Sequence, residues 1–199
     1  MQKILVLATG NPHKAREIED ILTPHLPLTF RTLLDFVDAP DLPETADSFE
    51  GNARQKAVAC MQFTGLPSLA DDSGLVIDAL GGRPGIYSAR YASTAEERID
   101  RVLRELNDVP DEQRTARFIA VAALALPDGQ CMVREGRCEG MIARVPKGDR
   151  GFGYDPIFFI PDKNRTMAEM DDSSKNAISH RGNALRLILP ELRLHLSLD

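Results

Sequence analysis

Short apolar runs and helix-spaced apolar positions alternate along the first third of the chain. Ile4–Ala8 is continuously apolar and ends before Gly10, which predicts a strand buried on both faces. Pro12 then suits the first position of a helix, and the apolar residues at 15, 18, 21 and 22 recur at helical spacing. The elements predicted next are a strand over 28–34, a loop over 35–45 and a helix over 49–63.

The middle of the chain shows strand patterns separated by polar and glycine-rich stretches. Residues 68–70 predict a short strand that ends at Asp71-Asp72-Ser73-Gly74, with 75–80 continuing as strand. A loop over 81–92 and a helix over 95–106 follow. Two β-prone runs, 117–126 and 131–143, flank Asp128-Gly129, which is a strong hairpin signal.

Capping signals mark the last third of the chain. A glycine-rich loop is predicted over 146–156, and Thr166-x-x-Glu169 resembles a capping box. Ser179 is placed to cap a final helix that starts at His180, and Pro190 is expected to end or kink that helix.

This order of elements predicts an α/β fold with a mixed central sheet flanked by helices. The hairpin suggests a second, antiparallel lobe. We therefore expect a single domain over 1–199, built of two lobes without a linker. Clefts between lobes are common ligand sites, so a ligand is expected there.

Composition narrows the class of protein. The 199 residues include 24 Lys+Arg and 30 Asp+Glu, a net charge of −6. An acidic chain of this kind argues against a nucleic-acid or anionic-membrane surface, and no apolar run reaches the length of a membrane span. The three cysteines (60, 131 and 138) form no CxxC pair and predict inert thiols in a reducing, cytoplasmic compartment.

The first candidate for chemistry is the turn from Thr9 to Lys14. A glycine turn between a buried strand and a helix presents backbone N–H groups and the positive end of the helix dipole, which suit a phosphate. Thr9 and Asn11 add polar side chains and Lys14 adds a charge. A plain strand–helix turn with a surface lysine is the alternative, since no Walker A motif is present.

The second candidate is the pair Asp71-Asp72. Adjacent acids at a strand end need a positive partner, and Mg²⁺ prefers carboxylate and phosphate oxygens. Because neighbouring strand side chains point to opposite faces, one acid is expected to face the site. Glu44 is a candidate site residue only as a second metal ligand beside Asp72. Lys56 is either a snorkelling helix lysine or a phosphate contact.

Two further candidates lie near the end of the chain. In Gly151-Phe152-Gly153-Tyr154-Asp155-Pro156 the glycines allow close approach of a ligand, Phe152 can stack on a base and Asp155 can bond its edge. A glycine-aromatic turn is the alternative. Lys175 and the run Ser179-His180-Arg181-Gly182 place donors at a helix start, where cations call for a negative or electron-rich partner.

The order of these motifs resembles the inosine/xanthosine triphosphate pyrophosphatase family, from about residue 3 to about residue 190. The tracts that carry the resemblance are Thr9-Gly10-Asn11-x-x-Lys14, Glu44-Thr45, Ala70-Asp71-Asp72-Ser73-Gly74-Leu75, Pro84-Gly85-Ile86-Tyr87-Ser88-Ala89-Arg90, Gly151-Phe152-Gly153-Tyr154-Asp155-Pro156 and Ser179-His180-Arg181-Gly182. Two positions depart from the family pattern: Gly51, where many members carry Glu, and Pro12-His13 in the phosphate turn.

The resemblance implies an α/β homodimer with a nucleotide cleft between two lobes, and Mg²⁺-dependent hydrolysis of ITP, dITP or XTP to the monophosphate and pyrophosphate. It implies Glu44 and Asp72 as metal ligands and Asp72 also as proton acceptor. The substrate-binding residues implied are Thr9, Gly10, Asn11, Pro12, His13, Lys14, Lys56, Ser73, Phe152, Gly153, Tyr154, Asp155, Lys175, His180 and Arg181.

Selection of the purine base is expected to depend on hydrogen bonding at its position 6. A 6-oxo purine accepts hydrogen bonds where adenine donates them, so His180 and Arg181 are expected to test position 6. Guanine shares the 6-oxo group, and its exclusion needs a test of the 2-amino group. The rival hypotheses are a Maf-like pyrophosphatase with another base preference and a non-catalytic nucleotide-binding regulator.

Overall fold

The computed structural model describes residues 3–196, and within them it contains five α-helices and seven β-strands. The strands are β1 (Ile4–Leu7), β2 (Thr29–Thr32), β3 (Ser68–Ile77), β4 (Thr115–Ala125), β5 (Cys131–Ile142), β6 (Phe158–Ile160) and β7 (Arg165–Thr166). The helices are α1 (Pro12–Leu22), α2 (Phe49–Thr64), α3 (Ala95–Glu105), α4 (Asp172–Ile178) and α5 (His180–His195).

All seven strands belong to one mixed sheet in the order β2-β1-β3-β4-β5-β6-β7. β1 runs parallel to β2, with Ile4 opposite Thr29, and parallel to β3, with Val6 opposite Ser68. β6 is antiparallel to both β5 and β7. The predicted mixed α/β fold is therefore confirmed.

The chain divides into two compact units. The first holds the described residues up to Asp72, Ala120–Gly136 and the described residues from Arg181 onward. The second holds Ser73–Ile119 and Arg137–His180. The β4–β5 hairpin is divided between them, because its tip belongs to the first unit and its base to the second.

The first unit has its own apolar core, to which β1, α1, β4 and α5 all contribute. Leu5 and Leu7 lie in this core with Ile18 of α1 and Ile188 of α5. Val6, which points to the other face of β1, is also fully buried. The prediction of a strand buried on both faces is confirmed. The second unit has a separate core that includes Leu75, Phe118 and Ile157.

The course of β3 corrects the prediction for its middle. Residues 68–70 do not end a strand at the acid pair, because β3 runs without interruption from Ser68 to Ile77. Asp71 and Asp72 therefore lie inside a strand, where they point to opposite faces. The residues after it, Asp78–Leu80, form a 3₁₀ turn rather than more strand.

The last two helices also differ from expectation. The pattern gave no signal for α4, a seven-residue helix capped by the side chain of Asp171. α5 starts at His180 as predicted, but it continues through Pro190 to His195. Leu185, Ile188 and Leu192 anchor it in the first core, and this packing outweighs the loss of one helical hydrogen bond at the proline.

The other local expectations are confirmed in part. Thr166 and Glu169 form the predicted capping box, around a 3₁₀ turn. Ser48 caps the start of α2 through the Gly51 N–H. Cys60 and Cys138 are buried, whereas Cys131 is only partly so. Among residues 3–196, no helix combines the length and the apolar character needed to cross a bilayer.

Candidate functional site

The turn between β1 and α1 is held by its own polar side chains. Asn11 precedes the helix, and its Oδ1 accepts bonds from the N–H groups of His13 (3.0 Å) and Lys14 (3.3 Å). Thr9 Oγ1 accepts a bond from the Asn11 N–H (3.1 Å). The expectation that this turn presents open N–H groups is therefore wrong for these three residues. A phosphate arriving here must compete with the Asn11 and Thr9 oxygens.

Gly10 leaves room for a ligand. Its φ is not left-handed, and a Cβ built on it meets no atom within 4 Å. Neither the backbone nor the neighbouring side chains require a glycine, so the open face suits close approach of a group from outside. A pocket of about 290 Å³ adjoins this turn. It is lined by Thr9, Gly10, Asn11, Pro12, Ala15, Arg16, Glu19, Thr32 and Leu34.

Asp71 holds a buried cluster of charges on the α1 and α5 side of β3. Its Oδ2 lies 2.7 Å from the Lys14 Nζ, and the Arg181 Nε and Nη2 each donate to its carboxylate at 3.1 Å. Arg181 also pairs with Glu17 of α1. Burial alone would raise the pKa of Asp71, but the Arg181 and Lys14 charges outweigh it and hold that pKa well below 3.8.

Asp72 faces α2 instead. Lys56 Nζ lies 2.7 Å from the Asp72 Oδ1, 2.9 Å from the Glu44 Oε1 and 2.9 Å from the Asp71 carbonyl oxygen. Lys56 is only 6 % exposed, so its interpretation as a snorkelling side chain is wrong. Burial opposes its charge, yet the charges and hydrogen bonds of Asp72 and Glu44 prevail and raise its pKa.

The donor set around Lys56 fits a hard divalent cation. The carboxylates of Glu44 and Asp72 converge on one cationic position, and these are oxygen ligands of the kind that Mg²⁺ prefers. Among residues 3–196, no three His, Cys, Asp or Glu side chains are grouped to hold a metal. A cation here would take two carboxylates from the protein and its other ligands from water and phosphate, which is usual for Mg²⁺.

Three of the predicted base-binding residues, Phe152, Asp155 and Lys175, are in contact within the second unit, whereas Arg181 belongs to the first. The Lys175 Nζ lies 2.6 Å from the Asp155 Oδ2, which also accepts the Phe152 N–H at 3.0 Å. The same ammonium lies 5.1 Å from the centre of the Phe152 ring. Asp155 thus sets the backbone of Phe152 and the position of Lys175 together.

Tyr154 and His180 are fixed by other contacts of the second unit. The Tyr154 hydroxyl donates to the Ser88 carbonyl at 2.9 Å, and burial raises its pKa. The His180 ring stacks on Phe118, with centroids 4.6 Å apart. Ser73 follows Asp72 on β3 and is half-buried.

Two residues around the acid pair, Glu17 and Asn52, were not predicted from the sequence, and Asp71 was a candidate without an assigned role. All three lie within the charged cluster, and Asn52 Nδ2 lies 3.5 Å from the Asp72 Oδ2. The alternation of side chains along a strand was a usable signal for Asp71. Two adjacent acids point to opposite faces of the strand, so each must contact a different helix. Glu17 and Asn52 carry no comparable signal.

The fold and the site together define an α/β protein that holds two adjacent strand acids against helix lysines. A sequence model of the Ham1 family matches residues 5–191. The dITP/XTP pyrophosphatase of Geobacter sulfurreducens is 49 % identical over 191 residues, which cover 94 % of this chain and 96 % of that one. The dITP/XTP pyrophosphatase of Bacillus subtilis is 44 % identical over 189 residues, or 94 % and 95 % of the two chains.

A solved structure extends the similarity to three dimensions. The structure of a HAM1 protein from Coxiella burnetii matches with a TM-score of 0.87 at 43 % identity, covering 97 % of this chain and 100 % of that one. The chain belongs to the Ham1 family. The family resemblance inferred from the motifs is confirmed.

Proposed function

We propose that the chain hydrolyses ITP, dITP and XTP to the nucleoside monophosphate and pyrophosphate, and so removes deaminated purines from the nucleotide pool. The observation that carries this proposal is the similarity, over more than nine-tenths of the chain, to enzymes named dITP/XTP pyrophosphatase. The charged cluster around Asp71 and Asp72 supports it, because phosphate chemistry needs fixed cations and a carboxylate.

The phosphates are proposed to bind at the turn before α1 and at Lys56. Gly10 offers an open face, and Lys14 offers a positive charge one turn into the helix. Thr9 and Asn11 supply polar side chains, with Pro12 and His13 at the same turn. Fixed positive charges that neutralise the developing charge on phosphate oxygens are the largest expected source of rate acceleration.

Glu44 and Asp72 are proposed to hold Mg²⁺. When bound, the ion supplies charge neutralisation at the phosphate oxygens. Asp72 accepts a proton from the water that attacks the α-phosphorus, and pyrophosphate leaves. Lys56 holds both carboxylates in place, because it donates to each of them.

The base is proposed to contact Ser73, Phe152 to Asp155, Lys175, His180 and Arg181. Phe152 offers its ring for stacking on the base. His180 can donate a hydrogen bond to a 6-oxo group, whereas a 6-amino group cannot accept that bond. The Arg181 Nε and Nη2 donate hydrogen bonds to the Asp71 carboxylate, and its Nη1 donates to the Glu17 carboxylate. Any contact of Arg181 with the base therefore uses a side chain already fixed by two carboxylates.

The proposal is tested by pyrophosphate release from ITP, XTP, dITP, GTP, ATP and dTTP, with Mg²⁺ and with EDTA. Release from the first three, lost in EDTA, is the expected result. Preference for a pyrimidine nucleotide would favour the Maf-like alternative. Binding of nucleotides without release from any of them would favour the regulator.

Gly151 offers a test of the base-binding cluster. A Cβ at this glycine lies 2.1 Å from the Asp155 Oδ2 and 3.0 Å from the Lys175 Nζ. We expect Gly151→Ala to displace this pair and to raise the KM for ITP about tenfold, equivalent to about 1.4 kcal/mol of binding. Steady-state kinetics measures this change.

The matched control is Gly81→Ala. Gly81 has a similar left-handed φ (+62° against +72°), but a Cβ there meets no atom within 4 Å. Both variants carry the backbone strain of an alanine at positive φ, and only Gly151→Ala adds the collision. Equal KM values in the two variants would contradict the assigned role of Asp155 and Lys175.

The family resemblance also implies a homodimer, a cytoplasmic location and a nucleotide cleft between two lobes. These three statements stay predictions. Static light scattering tests the first, as a mass twice that of the 22.0 kDa chain.

A further inference from the structure

The segment that carries Glu44 is attached to α2 at three successive residues. Glu44 pairs with Lys56, as described above. The Thr45 N–H donates to the Gln55 Oε1 at 3.0 Å, and the Ala46 N–H donates to the Asn52 Oδ1 at 3.0 Å. The position of the Glu44 carboxylate is therefore set by how closely this segment approaches the helix.

Gly51 is the residue of α2 that permits this approach. A Cβ built on Gly51 lies 2.5 Å from the Ala46 Cβ and 3.1 Å from the Ser48 Oγ. Two carbon atoms cannot come so close, so any side chain at 51 must push residue 46 away. The backbone of Gly51 is helical and not left-handed. Glycine inside a helix costs about 1 kcal/mol relative to alanine, so helix stability gives no reason for a glycine here.

The contact between Ala46 and Gly51 is coupled to the second acid. Asn52, the next residue of α2, bonds Ala46 through Oδ1 and lies within 3.5 Å of the Asp72 Oδ2 through Nδ2. Asn52 is buried. A displacement of Ala46 therefore acts at both carboxylates: it moves the segment that carries Glu44, and it breaks the bond that orients Asn52 beside Asp72.

We propose that Gly51 is a positioning residue for the divalent cation. It sets the spacing of Glu44 and Asp72 by letting Ala46 rest directly on α2. The inference rests on the proposed function, in which these two carboxylates hold the metal. Residues that orient metal ligands typically change metal affinity by about 10–100-fold when altered.

The test compares Gly51→Ala, Ala46→Gly and the double variant. Mn²⁺ serves as the probe, titrated by electron paramagnetic resonance into protein without nucleotide. We expect Gly51→Ala to bind Mn²⁺ about tenfold more weakly. The double variant, which removes the colliding Cβ of residue 46, is expected to regain the wild-type affinity. Ala46→Gly alone is expected to bind as the wild type does.

A second readout does not involve the metal. Hydrogen exchange of the Thr45 and Ala46 amides is expected to be faster in metal-free Gly51→Ala and to return to the wild-type rate in the double variant. Thermal unfolding checks that all three variants are folded. The relative rates on ITP and GTP are expected to stay unchanged, since the contacts of this segment described above are all with α2.

The outcomes separate two failures. If wild-type protein binds Mn²⁺ and Asp72→Asn weakens that binding, but Gly51→Ala binds like wild type, the positioning role is wrong and the metal site stands. The same holds if the double variant fails to recover. If Asp72→Asn leaves Mn²⁺ binding unchanged, the metal site itself is wrong, and the role of Gly51 falls with it.

Discussion

Asp72→Asn is expected to lower kcat for pyrophosphate release from ITP by about 10²–10⁴-fold, the usual contribution of a positioned general base. The amide keeps the shape of the carboxylate, but it accepts no proton from water and is a weaker ligand for a hard cation. The Lys56 ammonium would also lose the acceptor that lies 2.7 Å away. Steady-state kinetics with Mg²⁺, backed by thermal unfolding, measures the effect.

Asp128→Asn is the matched control for that variant. Asp128 lies in the β4–β5 turn and accepts bonds from Gln130, far in sequence from every proposed site residue. It is expected to keep the wild-type kcat. An Asp72→Asn enzyme that retained more than a tenth of the wild-type rate would contradict the proton-accepting role.

Asp71→Asn is expected to act on stability. Replacing this carboxylate leaves the buried Arg181 and the half-buried Lys14 without their shared anion, and breaking a buried ion pair costs about 3–5 kcal/mol. Because typical domains are stable by about 5–15 kcal/mol, this is a large share. Urea unfolding at neutral pH measures it. Asp20→Asn, at an exposed pair with Arg16 (3.9 Å), is the control and should change stability by less than about 0.5 kcal/mol.

The pH dependence of the Asp71 effect has a definite sign. The pKa of Asp71 is held well below 3.8 in the folded protein, so the unfolded chain takes up its proton first on acidification. The stabilisation by this group is therefore complete above the unfolded pKa of about 3.9 and is lost as the pH falls below it. The difference in unfolding free energy between wild type and Asp71→Asn should be constant at pH 5–8 and shrink below about pH 4. A difference that grew on acidification would contradict this assignment.

Local signals in the sequence predicted the elements that begin the fold. β1, the turn and α1 were predictable because a continuous apolar run, a glycine and a proline each restrict the backbone independently. The hairpin at Asp128-Gly129 was also predictable from a local signal, because Gly129 adopts the positive φ that an Asp-Gly turn requires. α4 was not, because seven residues give too short a window for helical periodicity.

The partners of the acid pair could not be predicted in the same way. The sequence shows that Asp71 and Asp72 need positive neighbours, but it does not show which helix covers which face of β3. That depends on where the strand ends and on contacts between distant parts of the chain. Arg181, for example, reaches Asp71 across 110 residues. The prediction for Lys56 failed for the same reason, because its usual behaviour on a helix surface gives no hint of Glu44 and Asp72.

That long separation has a consequence for the order in which the protein can be made. Lys14 is synthesised before Asp71, but Arg181 is synthesised 110 residues after it. At the usual elongation rates this delay is roughly 5–20 s. The apolar residues of α5 that complete the first core arrive at the same late stage. The N-terminal segment therefore cannot mature as the chain grows. Until the last helix is synthesised, Asp71 lacks its Arg181 partner and the first core lacks the apolar residues of α5.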